Sequence, residues 1–485
     1  SHLIFFTSFS QFIIIFTPSM KYIFSILFLL FFFLPQHAQE NETDYLVIDS
    51  IEIDGNRVTK RKIILRELSF AVGDTLKKLQ MLNEIVKSKN NLNNTLLFNF
   101  VYMDFMPEGD KATVRVSVVE RWYIWPIPIF EIGERNLPAW LRDPEFEELN
   151  YGLQLNWNNF RGRRELLQFK ARLGYKEQYA LAYNKPNIDK DQQHGVRFLL
   201  NGFRQQEAIY QTVDDKPVFY KDHGEYLSTS ISPSIGYTFR PEFYLKHSLT
   251  LGFTSNYFAE DSLRMQYQGK STNAPLEFFS ASYSLEYDNR DYVIYPLSGV
   301  FFRLDLQRRG LGIMPSFDYG KNFVTLTATR HDQIIKRLYY ENALKIRITK
   351  DEDLPYIFRQ AVGYTTNIRG FEFYIVDGNS YFVSANNLKF NLMPKRTFQL
   401  KPIPWEQFNQ IHLSLYTNLF FDFGYVQGRH YNINGNDLPN QFLWSTGIGF
   451  DLLSYYDQVY RLEFTLNSLG QTGIYLHLET PFRRW

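Results

Sequence analysis

Between residues 411 and 424 apolar and polar side chains alternate with almost no fault. Ile411, Leu413, Leu415, Leu419, Phe421 and Phe423 share one parity, and His412, Ser414, Asn418 and Asp422 the other. A period of two is the mark of a strand with one oily and one polar face. If the polar face lines a barrel, Asp422 points inward and needs a cation; Arg369, on a long loop able to fold inward, is the natural partner. Similar stretches recur after Trp122 and predict sixteen strands, at 124–132, 151–160, 165–173, 177–184, 193–204, 225–239, 246–258, 276–288, 299–308, 319–331, 337–349, 379–392, 410–426, 442–453, 457–466 and 472–480. An even number brings both ends of a closed barrel to one side. The predicted connections tend to alternate between short (161–164, 332–336, 454–457) and long (205–224, 259–275, 350–378, 427–441). Transmembrane barrels show this asymmetry and a soluble sandwich has no reason to.

Residues 45–121 follow a different pattern and predict a small α/β module. A strand over 46–53 ends at the turn Asp54-Gly55-Asn56. Helical spacing follows over 58–68, and Gly73-Asp74-Thr75 offers an N-cap for a second helix over 76–92. Strands 98–106 and 112–120 then flank Pro107-Glu108-Gly109-Asp110. Upstream, Met20-Lys21, an apolar run over 22–34 and Pro35-Gln36-His37-Ala38 read as a secretory signal over 20–38, cut after Ala38. Residues 1–19 are read as lying upstream of the true start. The expected organisation is therefore 1–19 upstream, 20–38 signal, 45–121 module and 122–485 barrel.

Composition agrees with a barrel. Aromatics are 18% of 485 residues, with 45 Phe and 33 Tyr, the material of interfacial girdles. Beyond residue 38 no apolar run reaches the roughly eighteen residues of a membrane helix. A net charge of +1 gives no bulk attraction for nucleic acid. With no cysteine, disulfides, thiolate metal sites and a Cys nucleophile are excluded. There is no Gly-x-Ser-x-Gly elbow, phosphate-binding loop or His-Glu-x-x-His, and the nine His are scattered. No enzyme, cofactor or metal is expected. Gly310-Leu311-Gly312 and Gly447-Ile448-Gly449 read as turn or packing glycines.

The first barrel strand contains Trp125-Pro126-Ile127-Pro128-Ile129. Residues i and i+2 of a strand address the same neighbour, so Pro126 and Pro128 delete two donors on one edge. If that edge faces the last strand, the barrel has a weak seam able to open sideways into lipid and offer an edge to a new strand. If instead the prolines precede the strand, they only stiffen the link from the module.

The text Ile51-Glu52-Ile53-Asp54-Gly55-Asn56 and Leu97-Phe98-Asn99-Phe100-Val101 resembles a POTRA domain, present here once. The barrel resembles the BamA-type outer-membrane assembly superfamily. Ile368-Arg369-Gly370-Phe371 falls in the loop between the eleventh and twelfth predicted strands, where that family carries its Arg-Gly-Phe/Tyr motif. Phe420, Asp422 and Gly424 match the family's Phe-x-Asp-x-Gly on the thirteenth, and 287–291 resembles a family bend. The family often adds a Glu on the twelfth strand; Leu388 stands there, so Arg369 is expected to lean on Asp422 alone. Gln471 to Leu478 fits the closing signal by which barrels are recognised for insertion, placing Gly473, Leu476 and Leu478 on the strand facing the seam. The resemblance implies a protein of the Gram-negative outer membrane with its POTRA domain in the periplasm. It implies insertion of unfolded client barrels into the lipid bilayer, with or without accessory subunits, and a client-binding sheet edge at Val101, Met103 and Phe105. The alternative is a channel exporting a dedicated polypeptide. Such relatives usually carry two POTRA copies and a plug helix, neither visible here.

Overall fold

The computed structural model describes residues 45–131, 148–222, 224–268, 273–314, 320–350, 354, 356–405, 407–428 and 433–479. The expected signal and the segment before it lie outside these residues.

The α/β module comprises β1 (Tyr45–Asp54), α1 (Arg61–Leu65), β2 (Thr75–Lys77), α2 (Lys78–Asn94), β3 (Phe98–Glu108) and β4 (Lys111–Glu120), in the sheet order β2-β1-β4-β3. Its core forms because one face of each element is apolar: Ile48 and Ile51, Ile63 and Ile64, Met81 and Ile85, Val114 and Val116 are all buried together. Gly109, at φ +65°, makes the β3–β4 turn that an L side chain resists. Two expectations change here. The first helix is shorter than 58–68, because the Glu120 carboxylate accepts the Val58 and Thr59 amides and holds that stretch out of the helix, with Lys60 extended as the N-cap. The N-cap is Lys77 and not a residue of 73–75; Asp74 instead accepts the Ala71 amide, and Thr75–Lys77 is a short strand paired with β1.

The barrel begins with β5 (Ile124–Glu131), β6 (Asn150–Phe160), β7 (Glu165–Gly174), β8 (Lys176–Lys185) and β9 (His194–Gln205). The hairpin β10 (Glu207–Val213) and β11 (Lys216–Lys221) stands outside it as a separate two-stranded sheet. Then come β12 (Ser228–Ile231), β13 (Ser234–Phe239), β14 (Leu245–Phe258), α3 (Asp261–Gln268), β15 (Leu276–Asp288), β16 (Gly299–Arg309), β17 (Lys321–Ile335) and β18 (Leu338–Ile348). After the small hairpin β19 (Gln360–Val362) and β20 (Val376–Asp377), the wall finishes with β21 (Ser380–Gln399), β22 (Gln410–Gln427), β23 (Phe442–Leu453), β24 (Val459–Asn467) and β25 (Thr472–Glu479). The ring is closed, and β25 meets β5. β12 and β13 pair with the same two neighbours, β9 and β14, in unbroken register, so they form one stave interrupted at Pro233, and the barrel has sixteen staves. Leu419 and Phe421 face outward while Asn418, Phe420 and Asp422 are buried, as the alternation predicts. Among the described residues no helix is long and apolar enough to cross a membrane; in this transmembrane barrel the strands cross.

The module sits against one end of the barrel. The Lys60 amide donates to Gly162 O at 2.9 Å, Asn94 Nδ2 to Arg290 O at 2.9 Å and Asn99 Nδ2 to Gln407 O at 3.1 Å. Arg121 Nη2 lies 2.5 Å from Asp457. The turns on this side are 161–164, 186–193, 240–244, 289–298, 336–337, 400–409 and 454–458. The far side carries 206–227, 259–275, 349–379 and 428–441, but also the single residue 175 and the four-residue turn 468–471. Far loops are thus mostly long, and the tendency expected from sequence has exceptions at 175, 289–298, 400–409 and 468–471.

Candidate functional site

The loop between β18 and β21 turns back into the barrel at Ile368-Arg369-Gly370-Phe371. The Phe371 amide donates to Ile368 O at 3.1 Å, closing a four-residue turn. Gly370 holds its third position at φ +81°, the place where such a turn needs glycine. Its carbonyl accepts Asn467 Nδ2 at 2.7 Å. Ile368 and Phe371 are buried and pack with Val383, Val426 and Leu443 from the wall. The turn is therefore anchored by grease on two sides and aims Arg369 across the lumen.

The guanidinium of Arg369 meets four groups. Nε donates to Asp422 Oδ2 at 2.6 Å and Nη2 to Asp422 Oδ1 at 2.5 Å, a bidentate fork. Nη1 donates to Asn387 Oδ1 at 2.8 Å and to Glu463 Oε1 at 3.1 Å. Its Cζ lies over the Phe420 ring, 3.8 Å from the centroid. Phe420 can lie there because Gly447 is beneath it; a Cβ on Gly447 would stand 2.6 Å from the ring. Asp422 and Glu463 are 2% and 1% exposed, so the charges on both are screened by Arg369 far more than by water. His477 Nε2 stands 3.3 Å from the other oxygen of Glu463.

The seven residues singled out on the loop and the thirteenth strand come together in one place. The expectation that Arg369 leans on Asp422 alone is corrected. Leu388 faces outward, the inward residue of that strand is Asn387, and the second carboxylate is Glu463 on β24. The period-two pattern of 459–467 places Arg461, Glu463, Thr465 and Asn467 on the inner face, which marks Glu463 as an inward acid without fixing its height against Arg369. Among the described residues no group of three or more His, Asp or Glu is arranged to hold a metal ion.

Gly424 is where Ile368 seats. An added Cβ would lie 2.8 Å from Ile368 Cδ1 and 2.8 Å from Phe382 O. Gly424→Ala is expected to lift the turn and cost about 1–3 kcal/mol through overpacking. A lower midpoint of thermal unfolding in detergent, against an unchanged Gly202→Ala control whose Cβ would meet nothing closer than 3.9 Å, would register it.

The seam residues fall on the ring's junction. Pro126 and Pro128 lie within β5, paired with Leu155 and Leu153 of β6, and not ahead of the strand. The Asn158 amide donates to Tyr123 O at 2.7 Å, and the register runs on from there to Ile124 opposite Trp157. Odd residues of β5 therefore turn their amides to β6 and even residues turn them to the other side. The Trp122 amide follows this rule, donating away from β6 to the Tyr456 hydroxyl at 3.0 Å. Both prolines are even, so both missing donors belong to the edge that meets β25. Ile474 and Leu476 of β25 and Phe130 of β5 are 69%, 75% and 70% exposed, against 45% for Phe421 in the wall. Leu478 also faces out, and Gly473 leaves space filled by the Tyr475 ring, 2.4 Å from where its Cβ would be. The module edge is β3, the outer strand of its sheet. Val101 and Met103 are buried in the core there with Phe105 packed against them, so the edge offers backbone and not these side chains.

Comparison with known proteins fits this geometry. A family model described as the Omp85 superfamily domain matches residues 159–454. No curated protein matches by sequence. Among solved structures, the chain is similar to BamA from Haemophilus ducreyi lacking POTRA domains 1–3, at 15% identity over 89% of this chain and 83% of that one, with a TM-score of 0.50. It is also similar to CdiB from Acinetobacter baumannii, at 12% identity over 89% and 74% with a TM-score of 0.47, and to CdiB from Escherichia coli, at 11% over 92% and 92% with 0.48. At such identities the likeness to BamA speaks for the fold.

Proposed function

The chain belongs to the Omp85 superfamily, and from that premise we propose that it inserts client β-barrel proteins into a Gram-negative outer membrane, opening sideways between β5 and β25. The observation that carries this reading is the seam. Two prolines remove amide donors from one edge of the junction, and three side chains flanking it, Phe130, Ile474 and Leu476, are the least covered large apolar ones of the described wall. In lipid an unpaired strand edge is costly, so an incoming strand that supplies partners is drawn to it. The module is the POTRA domain and lies in the periplasm, with the β3 backbone edge available for strand addition. Clients are unfolded barrel proteins; the lipid bilayer is the second partner. The turn held by Arg369 occupies the lumen, which favours insertion at the wall over passage of a polypeptide through the middle.

Because the chain has no cysteine, a pair introduced in β5 and β25 has no competitor. The oxidised protein is expected to stop inserting clients into vesicles, with activity restored on reduction. Full activity with the seam locked would remove lateral opening. Depletion from cells is expected to lower other barrel proteins in the outer membrane; unchanged levels, with a large steady conductance in planar bilayers, would point to export of one dedicated polypeptide.

A further inference from the structure

A second segment enters the barrel, from the module side. The turn 289–298 is tied to the module: Asn94 donates to Arg290 O and accepts the Val293 amide at 3.0 Å, and Tyr292 shares the Arg121–Asp457 pair. Beyond these ties Tyr295 is buried against Tyr416 and Val459. Its hydroxyl donates to Asp451 Oδ2 at 2.8 Å, beside Asn418 Nδ2 at 3.2 Å, and Lys389 Nζ stands 4.3 Å over its ring. Asp451 also accepts Arg461 Nε at 2.8 Å, its cross-strand partner. The same Nε is 3.9 Å from Glu463 Oε1, the oxygen that Arg369 reaches at 3.1 Å. One cation is thus placed between two carboxylates, one tied to the module-side turn and one to the far loop.

We propose that Arg461 is a positioning residue that makes the seat of Arg369 depend on the module-side turn, through the line Tyr295, Asp451, Arg461 and Glu463. The inference rests on the reading of the Arg369 turn as a working element of the insertion machine. Asp451 is fully buried, so losing the Tyr295 hydroxyl leaves its charge with fewer donors. Arg461, already nearer Asp451, is drawn wholly to it. Glu463 then loses a cation and competes with Asp422 for Arg369. A shift of the module, passed on by Asn94 and Tyr292, loosens the far loop by this route with no contact between module and loop.

The test uses the full chain in lipid nanodiscs with one spin label at Phe373→Cys, an exposed loop position. Tyr295→Phe is expected to raise the mobile fraction of the label roughly fivefold. Arg461→Gln should do the same, and the two together no more than either alone. Tyr339→Phe, which packs in the same apolar cluster, should change nothing. Heat-modifiable gel migration confirms that each variant is folded. If Tyr295→Phe leaves the label as in the parent while Arg369→Ala frees it, the coupling is wrong and the Arg369 seat stands. If Arg369→Ala also has no effect, the reading beneath the proposal fails with it.

Discussion

Replacing Arg369 with Ala is expected to give the largest loss of any single substitution in the barrel. Asp422 and Glu463 would remain buried, and Asp422 would lose the guanidinium from which both its oxygens accept. Breaking a buried pair from one side costs about 3–5 kcal/mol, because the remaining charge has neither partner nor water. The turn would also lose the ring contact with Phe420. Arg369→Lys keeps the charge but not the bidentate fork or the stacking plane, so it should fall between the parent and Ala. Pairing Arg369→Ala with Asp422→Asn should recover part of the stability, since it removes the orphan charge, but not client insertion, since the turn is still unheld. Thermal unfolding in detergent and insertion into vesicles would be measured side by side. An Arg369→Ala protein as stable and active as the parent would leave the clasp without a role.

Removing Glu67 should free the module. Glu67 lies at the module's foot with its carboxylate 2.8 Å from Arg164 Nη1 and forked to Arg240 at 2.8 and 2.9 Å. Burial alone would push its pKa up, yet Arg240 and Arg164 overcome that and hold it down at about 2, from an ordinary 4.5. A carboxylate with a lowered value stabilises the docked state above its ordinary pKa, and that contribution disappears as pH falls. The window runs from about pH 4.5 down to about 2, and the span is worth about 3 kcal/mol. Glu67→Ala goes further at neutral pH, since it leaves Arg164 and Arg240 facing each other with Arg66 nearby. Distances between spin labels on β3 and on the turn 400–409 should broaden in Glu67→Ala at pH 7, and in the parent only on acidification below pH 4.5. A parent distribution that is unchanged at pH 3 would show that other contacts carry the docking.

Much of this architecture is legible in the sequence because transmembrane strands leave a period-two record that tertiary context cannot override: a slip of one residue would put Asp422 in lipid. The ends are less legible. β21 runs to Gln399, past Pro394, because register shifts between Asn391 and Met393 and between Met393 and Arg396 absorb the proline. Ser232-Pro233 interrupts a stave whose neighbours stay in register on both sides. Arg369 and Asp422 can be paired from motif spacing and inward parity. Glu463 cannot, because its reach to Arg369 depends on how far β24 is staggered against β22, and alternation fixes the face of a residue but not its height. The prolines of β5 show the same limit. Their presence is visible in the text, while the neighbour they deprive follows only from one ladder bond and the register.

The clasp at Arg369 joins residues far apart in the chain: 53 positions separate it from Asp422 and 94 from Glu463. Closing such spans is entropically unfavourable until the intervening strands have paired. Arg369 must therefore wait, during the protein's own folding, for β22 and then β24 to arrive. Its full complement of partners exists only once β21, β22 and β24 all stand in the wall. The clasp thus reports that three separate staves are in place, and a chain whose β24 is unplaced carries a loop with half a grip.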